Sequence, residues 1–235
     1  MSLQTQFLIT LIELSNFYEN TFEINQIWNE LNKKTLVTKE QFLFLLKNAI
    51  KDRQIKYENY KIKVVSKIDL AIKAYMMNPS NIYLFKCLDW HDFELMCERV
   101  LELNGYNCKT NYRFKTGQKR GLYEIDIVAY KTSYLLLIDC KKWWMRHKLG
   151  ALKMAAHKQI HRTQVLSEHL NRDKNMIYNI NSNRLYLIPL LITSLNEDIH
   201  FYKIPIIPFS YLNKFLEEID HFRLSDCFYI ELTYR

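Results

Sequence analysis

The sequence predicts an α/β protein whose core runs α-β-β-β-α-β, preceded by a helical region that ends in a small hairpin. Three observations carry that expectation. Apolar residues recur at helical spacing through the first part of the chain, and two later runs, Leu122 to Tyr130 and Tyr134 to Lys141, are rich enough in Ile, Val and Leu to be buried strands. Composition agrees: 49% hydrophobic and 14% aromatic residues, with 4 Gly and 4 Pro in 235 residues, support a packed core rather than linkers or disorder.

Phe7, Leu8, Leu11, Ile12 and Leu14 form a first helical stripe, Ile24, Ile27, Trp28 and Leu31 a second, and Phe42, Leu45, Leu46 and Ile50 a third, entered through Thr38 as N-cap. Gln54 to Tyr57 and Lys61 to Val65 alternate like strands on either side of Glu58-Asn59-Tyr60, and Lys67 to Met76 returns to helical spacing. Three helices and a hairpin follow the order of a winged helix-turn-helix. That reading sets Lys47, Lys51, Arg53, Lys56, Lys61 and Lys63 on the third helix and the wing, where such modules approach phosphates. A basic helical bundle used for dimerisation accounts for the same pattern, and both readings stay open. The turn residues Asn78-Pro79-Ser80 mark a boundary between a first domain, 1–80, and a second, 81–235.

The second domain opens with a helix that stops at Asn104-Gly105. Phe93, Met96, Cys97, Val100 and Leu101 make its buried stripe; Glu94 falls at the edge of that stripe, while Glu98 and Glu102 rotate further toward solvent. A strand-like stretch from Tyr106 to Phe114 follows, then a basic loop from Lys115 to Gly121 with Lys119 and Arg120, then the two apolar strands. Leu149 to Leu170 has helical character and carries Lys153, Lys158 and Arg162; Arg184 to Thr193 is a hydrophobic strand. A short apolar stretch at Ile204 to Ile207, a helix entered at Pro208-Phe209-Ser210 and a strand near Phe228 to Leu232 complete the chain.

The chemistry lies in the two apolar strands, which hold Asp126, Asp139 and Lys141 where hydrophobic residues are expected. Alternate side chains of a strand share a face, so Asp139 and Lys141 point one way and Leu136, Ile138 and Cys140 the other. An ionised carboxylate in such surroundings has to be paired or has to bind a metal. Two carboxylates beside an ammonium suit metal-assisted hydrolysis of a phosphodiester, the acids holding a hard divalent cation through oxygen and the lysine orienting water or offsetting transition-state charge. A structural Asp–Lys ion pair would use the same residues. Charge separates the two: from Leu103 to Ser167 thirteen Lys or Arg face three acids, Glu124, Asp126 and Asp139, so that segment carries +10 within a chain of net charge +8. Acids confined to the apolar strands of a basic stretch imply a metal centre inside a surface that attracts a polyanion.

Five cysteines without a C-x-x-C spacing exclude a disulfide framework and a zinc knuckle, and read as reduced thiols. The longest apolar runs are too short to span a bilayer and the N-terminus lacks a basic region followed by an apolar stretch, so the expectation is a cytoplasmic protein with no membrane partner.

Trp90-His91-Asp92-Phe93-Glu94, Leu103-Asn104-Gly105-Tyr106, Glu124-Ile125-Asp126-Ile127 and Ile138-Asp139-Cys140-Lys141-Lys142-Trp143 together resemble the PD-(D/E)XK, or restriction-endonuclease-like, nucleases. Within that superfamily the chain is similar to the Mrr-type endonucleases and the archaeal Holliday-junction resolvases. The resemblance covers about a quarter of the chain. It implies Glu94 as the helix acid, Asp126 and Asp139 as ligands of Mg²⁺ or Mn²⁺, the backbone carbonyl of Cys140 as a further ligand and Lys141 as the catalytic lysine. Glu94 would bind a second metal or the metal's water. Lys51, Lys61, Lys63, Lys115, Lys119, Arg120, Lys153, Lys158 and Arg162 would contact DNA. The sequence departs from the Mrr pattern in having Glu-Ile-Asp where Gly-x-Asp is usual, and Asp rather than Glu before x-Lys. Relatives often carry a Gln on the following helix, where both Gln159 and Gln164 lie. His157 and His161 stand at metal-ligand spacing on that helix but equally suit a basic DNA-facing surface, and Trp143-Trp144 suits either base stacking or packing. The implied activity is metal-dependent DNA cleavage by an endonuclease; a junction resolvase, which would require a homodimer, and a non-cleaving DNA-binding protein are the alternatives.

Overall fold

A computed structural model of the protein describes residues 1–79, 81–115, 122–143, 149–172, 177, 182–194, 203–219 and 227–234. The chain divides into two compact units, Met1–Asp92 and Phe93–Arg235. That division falls later than the turn residues around 80, inside the first turn of a helix.

In the first unit the order is α1 (Leu3–Phe17), β1 (Thr21–Phe22), α2 (Ile24–Lys34), α3 (Lys39–Lys51), β2 (Ile55–Glu58), β3 (Lys61–Val64), α4 (Lys67–Met77) and α5 (Ile82–Cys87). Helix α1 is apolar on most of its surface, and Phe7, Leu8, Ile9, Leu11 and Ile12 are all buried, so it forms the centre against which α2 and α4 pack, while Phe42 of α3 meets Phe7 edge-on with ring centroids 6.4 Å apart. Thr38 caps α3 as expected: its hydroxyl accepts from Gln41 N–H at 3.3 Å while the Gln41 side chain accepts from Thr38 N–H at 3.0 Å. A three-stranded antiparallel sheet in the order β1-β3-β2 closes the unit. Its hairpin was legible; β1, two residues long, offers no alternation to read.

The second unit begins within α6 (Trp90–Leu103) and continues through β4 (Asn107–Lys115), β5 (Leu122–Lys131), β6 (Tyr134–Lys141), α7 (Leu149–Leu170), β7 (Arg184–Thr193), β8 (Ile206–Pro208), α8 (Phe209–Glu218) and β9 (Ile230–Thr233). Helix α6 stops as its sequence demands. Tyr106 N–H reaches Leu101 C=O at 3.1 Å, Gly105 N–H reaches Glu102 C=O at 2.9 Å, and Gly105 adopts φ +82° between them. The sheet runs β4-β5-β6-β7-β8, with β9 also on β7. Strands β4, β5 and β6 are antiparallel neighbours; β6 and β7 are parallel and therefore need the α7 crossover between them. Val165, Leu166 and Leu170 of α7 pack on Leu135, Leu137, Leu185 and Leu187, which seats the helix on the sheet. Phe93 of α6 meets Phe209 of α8 with ring centroids 5.8 Å apart.

The sheet forks at one place. Pairing of β5 with β6 extends from Lys131↔Tyr134 to Ile127↔Ile138 and stops, although one more rung would set Asp126 opposite Asp139. Pairing of β4 with β5 also skips Asp126, between Thr110↔Ile127 and Tyr112↔Ile125, where Asn111 turns to φ +50°. Beyond the fork, Asp139 to Lys141 pair only with Leu191 to Thr193 of β7. Among the described residues no helix is long and apolar enough to cross a membrane.

Candidate active site

Asp126 and Asp139 stand at the fork, one on each departing strand. Cys140 N–H, deprived of a β5 carbonyl, donates to Asp126 Oδ2 at 2.8 Å. Asp139 is 4% exposed and is held from both sides: Oδ1 accepts from Arg162 Nη1 at 2.9 Å, and Oδ2 lies 2.5 Å from Lys141 Nζ. Lys141 and Arg162 thus meet the requirement that a buried carboxylate be paired.

Helix α7 supplies the rest of the arrangement. Gln159, fully buried, donates its Nε2 to Leu137 C=O at 2.8 Å and accepts from Arg162 Nη1 at 3.1 Å, so one face of α7 binds the backbone of β6 and aims Arg162 at Asp139. Gln164 is exposed, so of the two glutamines Gln159 is the one that reaches the sheet. Arg162, expected to contact DNA, is bonded to Asp139, and the i, i+3 spacing of Gln159 and Arg162 was the available signal for that placement. Asp139, Lys141, Trp143, Lys158 and Arg162 line a pocket of about 280 Å³. Trp143 also packs beside Leu152, Ala155 and Ala156. A larger pocket, about 600 Å³, belongs to the first unit, where Glu13 is tied to Lys34 and Tyr83.

Glu94 sits in α6, buried rather than at the rim, and its pKa is pushed up to about 7. Burial is the main cause, Asp126 the next; Lys141 opposes, while Glu124 and Asp139 add to the rise. Asp126 is also raised, by burial and then by Asp139, against the Cys140 N–H, Lys141 and Arg162. These carboxylates crowd one end of the sheet with negative charge that the neighbouring cations only partly offset. Glu124, by contrast, makes a cross-strand ion pair with Arg113 at 2.8 Å. The Cys140 thiol hydrogen-bonds with Cys97 of α6 and is held far above its ordinary pKa by burial.

Among the described residues no set of three or more His, Cys, Asp or Glu side chains gathers as a metal-binding group. His161 turns toward Tyr123, with Nε2 3.4 Å from its hydroxyl, and His157 is exposed. Of the cations expected to meet DNA, Lys51, Lys61, Lys63, Lys115, Lys153 and Lys158 are exposed. Lys119, Arg120 and Trp144 lie outside the described residues.

A family model described as a restriction endonuclease, Mrr_cat, matches residues 85–169. An uncharacterized protein of Archaeoglobus fulgidus is 26% identical over 139 residues, covering 58% of this chain and 95% of that protein. Among solved structures, protein VC1899 from Vibrio cholerae has a TM-score of 0.38 at 11% identity, covering 95% of this chain and 52% of its own. AF1548, a protein of unknown function, has a TM-score of 0.30 at 20% identity, with 44% and 46% covered. The restriction endonuclease FokI has a TM-score of 0.34 at 12% identity, with 91% and 41% covered. The chain spans about half the length of these solved structures or less. The 85–169 match takes in Glu94, Asp126, Asp139, Lys141 and Arg162 together, and by it this segment is similar to a restriction endonuclease domain.

Proposed function

We propose that the protein is a divalent-metal-dependent DNA endonuclease whose reaction takes place at the fork between β5 and β6. The observation that carries this reading is the placement of Asp126 and Asp139 on opposite arms of the fork with Lys141 beside them. The donors suit Mg²⁺ or Mn²⁺: both are hard carboxylate oxygens, and burial, then neighbouring carboxylates, raise the pKa of Asp126 and of Glu94, a penalty on their ionised forms that a cation would offset. Asp126, Asp139 and the Cys140 carbonyl would hold the ion, and when bound it would supply charge stabilisation at the phosphate and acidify a bound water. Lys141, beside Asp139, would orient the attacking water and offset charge on the phosphate oxygens. Glu94, half protonated near neutral pH, accepts or holds a proton at the same end of the sheet. Arg162 positions Asp139. In the first unit the order α1-β1-α2-α3-β2-β3 and the sheet β1-β3-β2 support a winged-helix module for DNA, with Lys51, Lys61 and Lys63 exposed. A DNA substrate of this kind goes with a cytoplasmic location.

A second reading, a DNA-binding protein that keeps the fold without cleaving, is favoured by one observation: Lys141 and Arg162 already neutralise Asp139. Incubation with supercoiled, linear and four-way DNA, with and without Mg²⁺, separates the two. Asp126→Asn and Asp139→Asn should abolish Mg²⁺-dependent cleavage while the protein stays folded, because each removes an anionic oxygen from a hard-cation site. Full cleavage by a folded Asp126→Asn variant would return the fork acids to a structural role.

A further inference from the structure

We propose that the tip of the β2–β3 hairpin is a base-stacking finger, through which the protein prefers DNA containing an unpaired base to continuous duplex. The inference rests on the DNA reading above and adds a substrate class to it. The register Glu58↔Lys61 leaves Asn59 and Tyr60 as a two-residue loop. Both have positive φ, +49° and +64°, the geometry of a type I′ turn. Glycine is the residue favoured at the second of these positions, and a bulky aromatic there adopts a backbone that its Cβ disfavours. The chain places a tyrosine at that point and leaves it 87% exposed, with no ring or hydrogen-bond contact among the described residues. Packing does not account for Tyr60; an external partner for the ring does.

Charge names the partner. Lys56 and Lys63 are directly opposite each other in the ladder, and Lys61 follows the tip on the same strand. All three are exposed, and none has an ion-pair partner among the described residues. Like charges facing across an antiparallel pair repel, an arrangement relieved by a bound anion. Glu58, across from Lys61, is the hairpin's one acid. An aromatic tip backed by lysines matches the way single-stranded nucleic acid is held, the backbone by cations and the base by a π-face. Side chains that wedge into an intact duplex are apolar, Phe, Leu, Ile, Met or Pro. A tyrosine tip therefore gains most where a base face is already free.

The test uses the 235-residue chain with EDTA present, so that binding is read without cleavage. Fluorescence anisotropy would compare a continuous duplex, the same duplex carrying a two-base bulge, and a single strand, with 2-aminopurine in the bulge as a stacking probe. Wild type should bind the bulged duplex about tenfold more tightly than the continuous one, the scale of one base–aromatic stack, and should quench the probe. Tyr60→Gly should abolish the preference and the quenching while leaving duplex affinity unchanged, and its melting temperature should not fall, since glycine relaxes the turn. Tyr60→Trp should keep both signals. A bulge preference that survives Tyr60→Gly, or duplex binding lost in parallel with bulge binding, would overturn the stacking finger and leave the nuclease reading intact. Failure of wild type to bind any of the three DNAs would instead remove the DNA reading, and the finger with it.

Discussion

Asp139 shows how a buried acid shapes its surroundings. It is 4% exposed, so each partner that it keeps matters to the fold as well as to the chemistry. Arg162→Met should cost about 1–3 kcal/mol of stability in urea denaturation, the scale of a lost hydrogen bond to a charged group that stays buried. Its duplex affinity should change little. If Arg162 acted chiefly on phosphates, affinity would fall and stability would hold. Glu94 gives a second measurable consequence. Its ordinary pKa of 4.5 applies to the unfolded chain, while in the folded protein it rises to about 7. Between those values the folded state retains a proton that the unfolded state has released, so this contribution to stability is complete below pH 4.5, declines as pH rises, and is gone above about 7. Asp126, shifted in the same direction, adds to the decline. Metal-free wild type should therefore lose stability relative to Glu94→Gln across this range, by up to about 3 kcal/mol, as read by denaturation midpoints at several pH values. A flat difference between the two proteins would contradict a protonated Glu94.

At the scale of elements, local signals translated directly and distant ones did not. Thr38 announces α3 through a hydroxyl that serves its own first turn, and Asn104-Gly105 announces the end of α6 by the same kind of neighbour contact. Gly105→Ala tests the latter. A Cβ there would meet nothing nearer than Lys131 Cε at 3.8 Å, so space is adequate, but φ +82° remains disfavoured for alanine. A loss of about 1–2 kcal/mol in chemical denaturation is expected, with the site unaffected. The acids of the fork were legible because charge in an apolar strand is conspicuous within a few residues of sequence. Arg162 was not, because its partner lies 23 residues away and their meeting depends on how α7 docks on β6. The same limit hid the contact of Cys97 with Cys140, on different elements, and the burial of Glu94, which a helical wheel placed at an edge.

For the molecule as a whole, the order of helices and strands in both units followed from periodicity, whereas the two-residue β1 and the short α5 carried too little pattern to be read. The division between units moved from the turn near 80 into α6, since contacts decide it and turn residues only punctuate the chain. Charge acts at this scale too. Lys51, Lys61 and Lys63 are exposed on the first unit, and replacing all three by Ala should weaken DNA binding and reduce the salt dependence of the affinity. Each phosphate contact contributes about 0.9 to the logarithmic slope, so a decrease of roughly 2–3 is expected from titrations at several NaCl concentrations. An unchanged slope would take the first unit off the DNA-contacting surface.

The fork also bears on how the hairpin knows where to end. Continued in register, strands β5 and β6 would next add the rung Asp126↔Asp139. That rung would press two carboxylates together in an apolar setting, and like charges directly across a ladder are unfavourable. The zipper halts one residue short, and the Cys140 N–H that pairing would have consumed goes to the Asp126 side chain. The acids thus serve as a length marker for the sheet: the charges proposed to bind the cation are the same charges that hold the strands apart and leave room for it.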